Sequence, residues 1–206
     1  MADNIFWLGH DSFRLKGEKI VYIDPWKLAD GAEKADVVLV THDHRDHYSK
    51  DDIAKISKAD TVVVAPQAVA QKFGDTVTIA KPGDTLNANG VTVQVVPAYN
   101  PTKQFHPKAS GYVGYVVTLN GKRIYHSGDT DLIPEMTKIQ CDIALLPVSG
   151  KYVMTAVEAA EAANTIKPFL AIPMHYGDPD VVGTRSDAEE FKRLAKVPVE
   201  ILEKVK

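Results

Sequence analysis

"VVLVTHDHRDHYS", residues 37–49, joins two kinds of sequence at one point. Val37 to Val40 is apolar at consecutive positions, the pattern of a short strand covered on both faces. His42 to His47 then holds three histidines and two aspartates in six positions. With 7 histidines in 206 residues, chance alone gives this arrangement in roughly one chain in a hundred. A buried strand that runs out into ligand-type side chains fits layered α/β proteins, which assemble their sites at the carboxyl ends of strands.

The same transition recurs twice. In "KRIYHSGDTD", residues 122–131, a strand gives way to Asp129, and in "FLAIPMHYG", residues 169–177, a strand ends at His175. His42 and His44 lie two apart, so in extended chain they project to one side and suit a shared ion. Asp46 and His47, past the bend, suit a second ion, and Asp129 suits a bridge between the two. Imidazole and carboxylate donors fit zinc, and also manganese or iron(II). Taken singly, Asp129 also reads as a turn residue and His175 as a hydrogen-bonded strand end. Their convergence on strand ends is the argument for a metal site.

Working outward, "NIFWLG", "SFRLKG" and "KIVYID" read as a three-stranded meander with a turn at Gly17–Glu18. "TVVVA", "TVTIA", "VTVQVVPA", "GYVGYVVTL", "DIALLPV" and "VEIL" read as further strands, and "ANGV" and "LNGK" as hairpin turns. Thr155 with Glu158 makes a capping-box pattern ahead of "AVEAAEAANTIK", and Ser186 with Glu189 repeats it before "FKRLAK". Ser49 with Asp52 reads as a cap for "DDIAKISK", and Pro66 as the first helical residue of "PQAVAQKF". Strands first, then strands alternating with helices, in both halves, predict an α/β (α+β) chain of two packed sheets with helices outside.

The length suits one domain, residues 1–206, rather than two. A net charge of −3 gives no basic footprint for nucleic acid. Cys141 is a single cysteine at the start of an apolar run, where it reads as a small core residue. "MADNIFWLGH" has no signal-peptide pattern, and no apolar run approaches a membrane span, so the expected location is cytoplasmic.

On these motifs the chain resembles the metallo-β-lactamase-fold hydrolases. "HDHRDH" matches that superfamily's H-x-H-x-D-H signature in full, while "GDTD" at Gly128–Asp131 and "MHYG" at Met174–Gly177 are similar to its bridging-aspartate and last-histidine motifs. "WLGHDSFRL", "IDPW" and "GYVGYVV…RIYHSGDTDLIPEM" resemble a small branch that includes ascorbate-6-phosphate lactonase-like proteins and N-acyl-phosphatidylethanolamine phospholipase D. The resemblance covers roughly residues 4 to 180. It implies a four-layer αββα sandwich, His42 and His44 on one metal, Asp46, His47 and His175 on a second, and Asp129 between them.

One position departs from the pattern. Where a third histidine for the first metal normally follows the strand, this chain reads "YNPTKQFHPK". Asn100 stands near the expected place and His106 comes later, so a loop excursion is expected to bring His106 in. The resemblance gives His10 a role beside the site or against substrate. His126 reads as a supporting or core residue, and Asp24 in "YIDPW" as an acceptor that orients a ligand histidine, or a turn-former before Pro25.

Two divalent ions about 3.5–4 Å apart lower the pKa of a shared water towards about 7. The expected reaction is therefore attack by metal-bound hydroxide, oriented by Asp46 and Asp129, on a lactone, carboxylic ester or phosphodiester of a small molecule. No phosphate loop or nicotinamide fingerprint suggests other chemistry. The alternatives are an iron-dependent oxygenase or redox protein on the same fold, and a non-catalytic metal-binding domain. Diiron electron-transfer relatives usually carry glutamate where this chain keeps His44, which favours hydrolysis.

Overall fold

The computed structural model describes residues 2–74 and 76–205. Its first half is a six-stranded sheet in sequential order: β1 (Ile5–Gly9), β2 (Ser12–Lys16), β3 (Ile20–Ile23), β4 (Val37–Leu39), β5 (Val62–Ala65) and β6 (Val77–Ile79). β1 to β3 form an antiparallel meander, and β3 to β6 run parallel. The second half is another six-stranded sheet, built from β7 (Thr85–Ala88), β8 (Val91–Pro97), β9 (Val113–Leu119), β10 (Lys122–His126), β11 (Ile143–Pro147) and β12 (Leu170–Met174). β7 to β10 are antiparallel, and β10, β11 and β12 are parallel.

Alternation along β4 explains how the sheets pack. Val37 and Leu39 face the core between the sheets, whereas Val38 joins a second apolar cluster on the outer face, as does Val40 just beyond the strand. There they pack with Tyr22, with Ile53 and Ile56 of α1 (Lys50–Ile56), and with Val69 of α2 (Gln67–Phe73). On the other sheet, α3 (Ala156–Ile166) lays a row of alanines, among them Ala159 and Ala163, against the core. Small side chains let that helix approach the strands closely. α4 (Arg185–Leu194) packs beside it through Ala188 and Phe191. Helix, sheet, sheet, helix is the expected sandwich.

Three local expectations are corrected. The capping box of α4 is Thr184 with Asp187, two residues before the expected Ser186–Glu189 pair. Pro66 is the cap of α2, one residue before the helix. "VEIL" does not form a strand: only Val199 bridges to Ala171 of β12. Pro198, at its start, has no N–H to donate.

Strand direction places the site. Two antiparallel steps bring β1 and β3 to the same direction, and β4 is parallel to β3. By the same count β8, β10, β11 and β12 run together. Within each sheet the residues following these strands therefore emerge at one edge.

Candidate metal centre

Residues from six strand ends meet between the sheets: His10 and Asp11 after β1, Asp24 after β3, the His42–His47 segment after β4, His106 beyond β8, Asp129 after β10, and His175 after β12. His42, His44 and His106 form one group. His42 Nε2 and His106 Nε2 lie 3.1 and 3.3 Å from His44 Nδ1. His10, Asp11, His47 and His175 form a second group. Asp129 lies between them: its Oδ2 is 3.2 Å from His106 Nε2 and 3.3 Å from His175 Nε2, and its Oδ1 is 3.4 Å from His47 Nε2.

Each ring is held from behind. His42 Nδ1 donates to Thr41 Oγ1 at 2.9 Å, and that hydroxyl donates to Asp24 Oδ2 at 2.6 Å. His47 Nδ1 donates to the same Asp24 Oδ2 at 2.8 Å. His106 Nδ1 donates to Asn100 Oδ1 at 2.9 Å, and His175 Nδ1 shares a hydrogen bond with Ser149 Oγ at 2.8 Å. With Nδ1 engaged in each of these four rings, Nε2 points inward and, in the neutral form, offers a lone pair. This is how ligand histidines are usually fixed.

These lone pairs face one another and face carboxylate oxygens, a repulsive arrangement unless positive charge lies among them. His47 Nε2, Asp129 Oδ1 and both Asp11 oxygens are buried without a hydrogen-bond partner. The titration behaviour agrees. Burial disfavours a charged His175 ring, yet Asp129 and Asp11 push its pKa up to about 9. His47 is likewise raised against its burial, by Asp129 and Asp24. Asp129 is held far below the usual carboxylate range despite burial, chiefly by His47 and His175. Donors of one tetrahedral ion at about 2.0–2.1 Å stand about 3.3 Å apart, which matches the spacings about His44 and about Asp129. The donor set therefore fits metal ions.

Asp46 sits differently. Its side chain is 20% exposed and its Oδ2 is 3.1 Å from His10 Nε2. Burial would raise its pKa, but His10 and the charge of His47 hold the carboxyl well below the ordinary range. His10 is fully buried behind it, its carbonyl accepting from Trp7 Nε1 and from the His175 backbone N–H. His126 is core-like and supporting: its Nε2 donates to the Asp11 carbonyl at 2.9 Å, and its Nδ1 accepts from the Gly128 N–H.

Sequence reasoning named no role for Asp11, and it met Asn100 only as the residue standing near the missing histidine's place. Asn100 pins His106 twice, accepting from its ring and, at 3.0 Å, from its backbone N–H. Asp11 had a signal in plain view, an acid beside a strand-end histidine, but only the turn geometry shows that it points inward.

Above the histidines opens a cleft of about 680 Å³. His44, His106, Asp129 and His175 line its floor, while Phe105, Tyr152 and Val182 give apolar walls. Arg45 also lines it, exposed and without an ion pair among the described residues. The volume suits a small-molecule ligand.

A family model described as beta-lactamase superfamily domain matches residues 4–175. A UPF0173 metal-dependent hydrolase from Thermoplasma acidophilum is 38% identical, with 93% of this chain and 90% of that protein covered. One from Pyrococcus abyssi is 34% identical, covering 91% of this chain and 90% of the relative. A crystal structure from Parabacteroides distasonis is 33% identical with a TM-score of 0.86, covering 98% of this chain and 93% of that one.

Proposed function

The chain belongs to the beta-lactamase superfamily, and on that premise we propose that it is a binuclear metal-dependent hydrolase of ester-type bonds in small molecules. The observation that carries this reading is the set of inward Nε2 atoms, each backed by a committed Nδ1, gathered around Asp129. His42, His44 and His106 would hold one ion and Asp46, His47 and His175 the other, with Asp129 between them. Divalent ions held there would supply an activated water at neutral pH and Lewis acidity toward the scissile group.

The remaining steps fall to the protein. Asp46, ionised and partly open to the cleft, accepts a hydrogen bond from the attacking water and aims it; His10 fixes the angle of that carboxylate. Phe105, Tyr152 and Val182 exclude water from the apolar part of the substrate. Arg45 is placed to hold an anionic group, so phosphodiesters and phosphate-bearing lactones fit better than neutral esters.

The test is elemental analysis of gently purified protein, followed by a screen of lactones, carboxylic esters and phosphodiesters. Two divalent ions per chain and turnover of one class are expected. A metal-loaded protein inert to all three classes would refute the hydrolase reading. Replacing Arg45 with alanine should raise KM for anionic substrates with little change in kcat. Equal KM before and after would remove Arg45 from recognition.

A further inference from the structure

Asp11 occupies the two-residue connection between Gly9 of β1 and Ser12 of β2. The preceding backbone is unusual: Gly9 has φ of 110° and His10 φ of 54°, and the pairing of the two strands is irregular there. The turn drives the Asp11 side chain into the space between the sheets, where it is fully buried. The imidazole of His126 fixes the turn by donating to the Asp11 carbonyl.

Neither carboxylate oxygen of Asp11 has a hydrogen-bond partner. A buried, unpaired carboxylate is among the most costly groups a fold can carry. The ring nearest to it, His10 Nε2 at 3.2 Å, is bonded to Asp46 instead. What Asp11 Oδ2 does face is His47 Nε2 at 3.6 Å and His175 Nε2 at 4.0 Å, the same atoms that face Asp129. Donor atoms about an ion with bonds of about 2.1 Å are separated by roughly 3–4 Å, whether the geometry is tetrahedral or octahedral. Asp11 therefore stands where a donor stands. Asp46 does not belong to this close group.

We propose that Asp11 is a further carboxylate ligand of the second ion, alongside His47, His175 and Asp129. The inference rests on the metal reading above and adds a donor to it. It also gives that position more oxygen donors than the all-histidine group, which shifts its preference from zinc towards manganese or iron(II).

The test compares wild type with Asp11→Asn and Asp11→Ser after metal stripping and reloading with Zn²⁺ or Mn²⁺. Ions per chain are counted after dialysis against a weak chelator, and melting temperatures are recorded with and without metal. Wild type should retain two ions; both variants should retain one, with the second bound at least tenfold more weakly. Cooperative melting of the metal-free variants shows that they fold, and added metal should raise the wild-type melting temperature by more than it raises theirs. Two ions retained by folded variants with wild-type affinity would overturn the role of Asp11 while leaving the binuclear reading intact. No ion retained by wild type would overturn both.

Discussion

Asp24 shows how much of the centre depends on a residue that touches no substrate. It accepts from the Thr41 N–H at 2.7 Å, the Thr41 hydroxyl and the His47 ring, so one carboxylate orients a ring of each histidine group. Changing Asp24→Ala should weaken metal retention about 10–100-fold, as losing such partners does, while the chain still folds. Chelator competition measures this, and unchanged retention would mean that the rings are held by packing alone. Cys141 offers a contrasting case. Burial, with the Asp142 charge adding, pushes its thiol up to about 12, so at pH 8 it is neutral. It should resist thiol reagents in the native protein and react only on unfolding; rapid labelling of native protein would show that segment opening. At this scale the sequence displayed the donors that follow strands directly, because type and spacing are local properties. His106 depends on a loop whose course is set by Asn100, and Asp11 on a turn with positive φ, neither of which a linear pattern records.

Elements carry these residues to their places. Thr155 and Glu158 form a reciprocal capping box on α3, and Thr155→Ala should cost about 1 kcal/mol in a denaturant titration. Tyr115, fully buried on β9, donates across the interface to the Val40 carbonyl at 2.8 Å, just ahead of the His42 segment. Tyr115→Phe leaves that buried carbonyl without its donor, and about 1 kcal/mol of stability should be lost. An unchanged midpoint would mean that a water replaces the hydroxyl. The shifted cap of α4 has a cause in the same region. Gly183 has φ of 113°, and a side chain there would come within 2.3 Å of the His175 carbonyl. The chain is thus pinned beneath His175, and Thr184, the next residue, caps the helix. The cap read from the sequence was Ser186; the contact that moves it to Thr184 is tertiary.

At the scale of the whole molecule, the site depends on two sheet edges staying together. β1 and β12 are edge strands of different sheets, and the second donor group hangs from their ends through His10, Asp11 and His175. The C-terminal segment ties them: Pro198 and Glu200 bond to Ala171 of β12, while the Val205 N–H donates to the Trp7 carbonyl of β1. Trp7 in turn stacks on Tyr176 at 4.8 Å, and Ile201 and Leu202 pack on the core. The alternating apolar strands made the sandwich legible in sequence. The strap was not, because "VEIL" resembles a strand and its hydrogen bonds are divided between two sheets. Truncation after Lys196 would remove Ile201 and Leu202 and uncover the apolar surface they pack on, at a cost of a few kcal/mol. The melting temperature should fall and tryptophan fluorescence should shift to the red. The loss should also be uneven: the ion held by His42, His44 and His106, which β4 and the β8 loop carry, should be retained, while the ion at His47 and His175 should be released. Equal loss of both ions would mean that the tail supports the fold as a whole, whereas selective loss would make it the clasp of the second position.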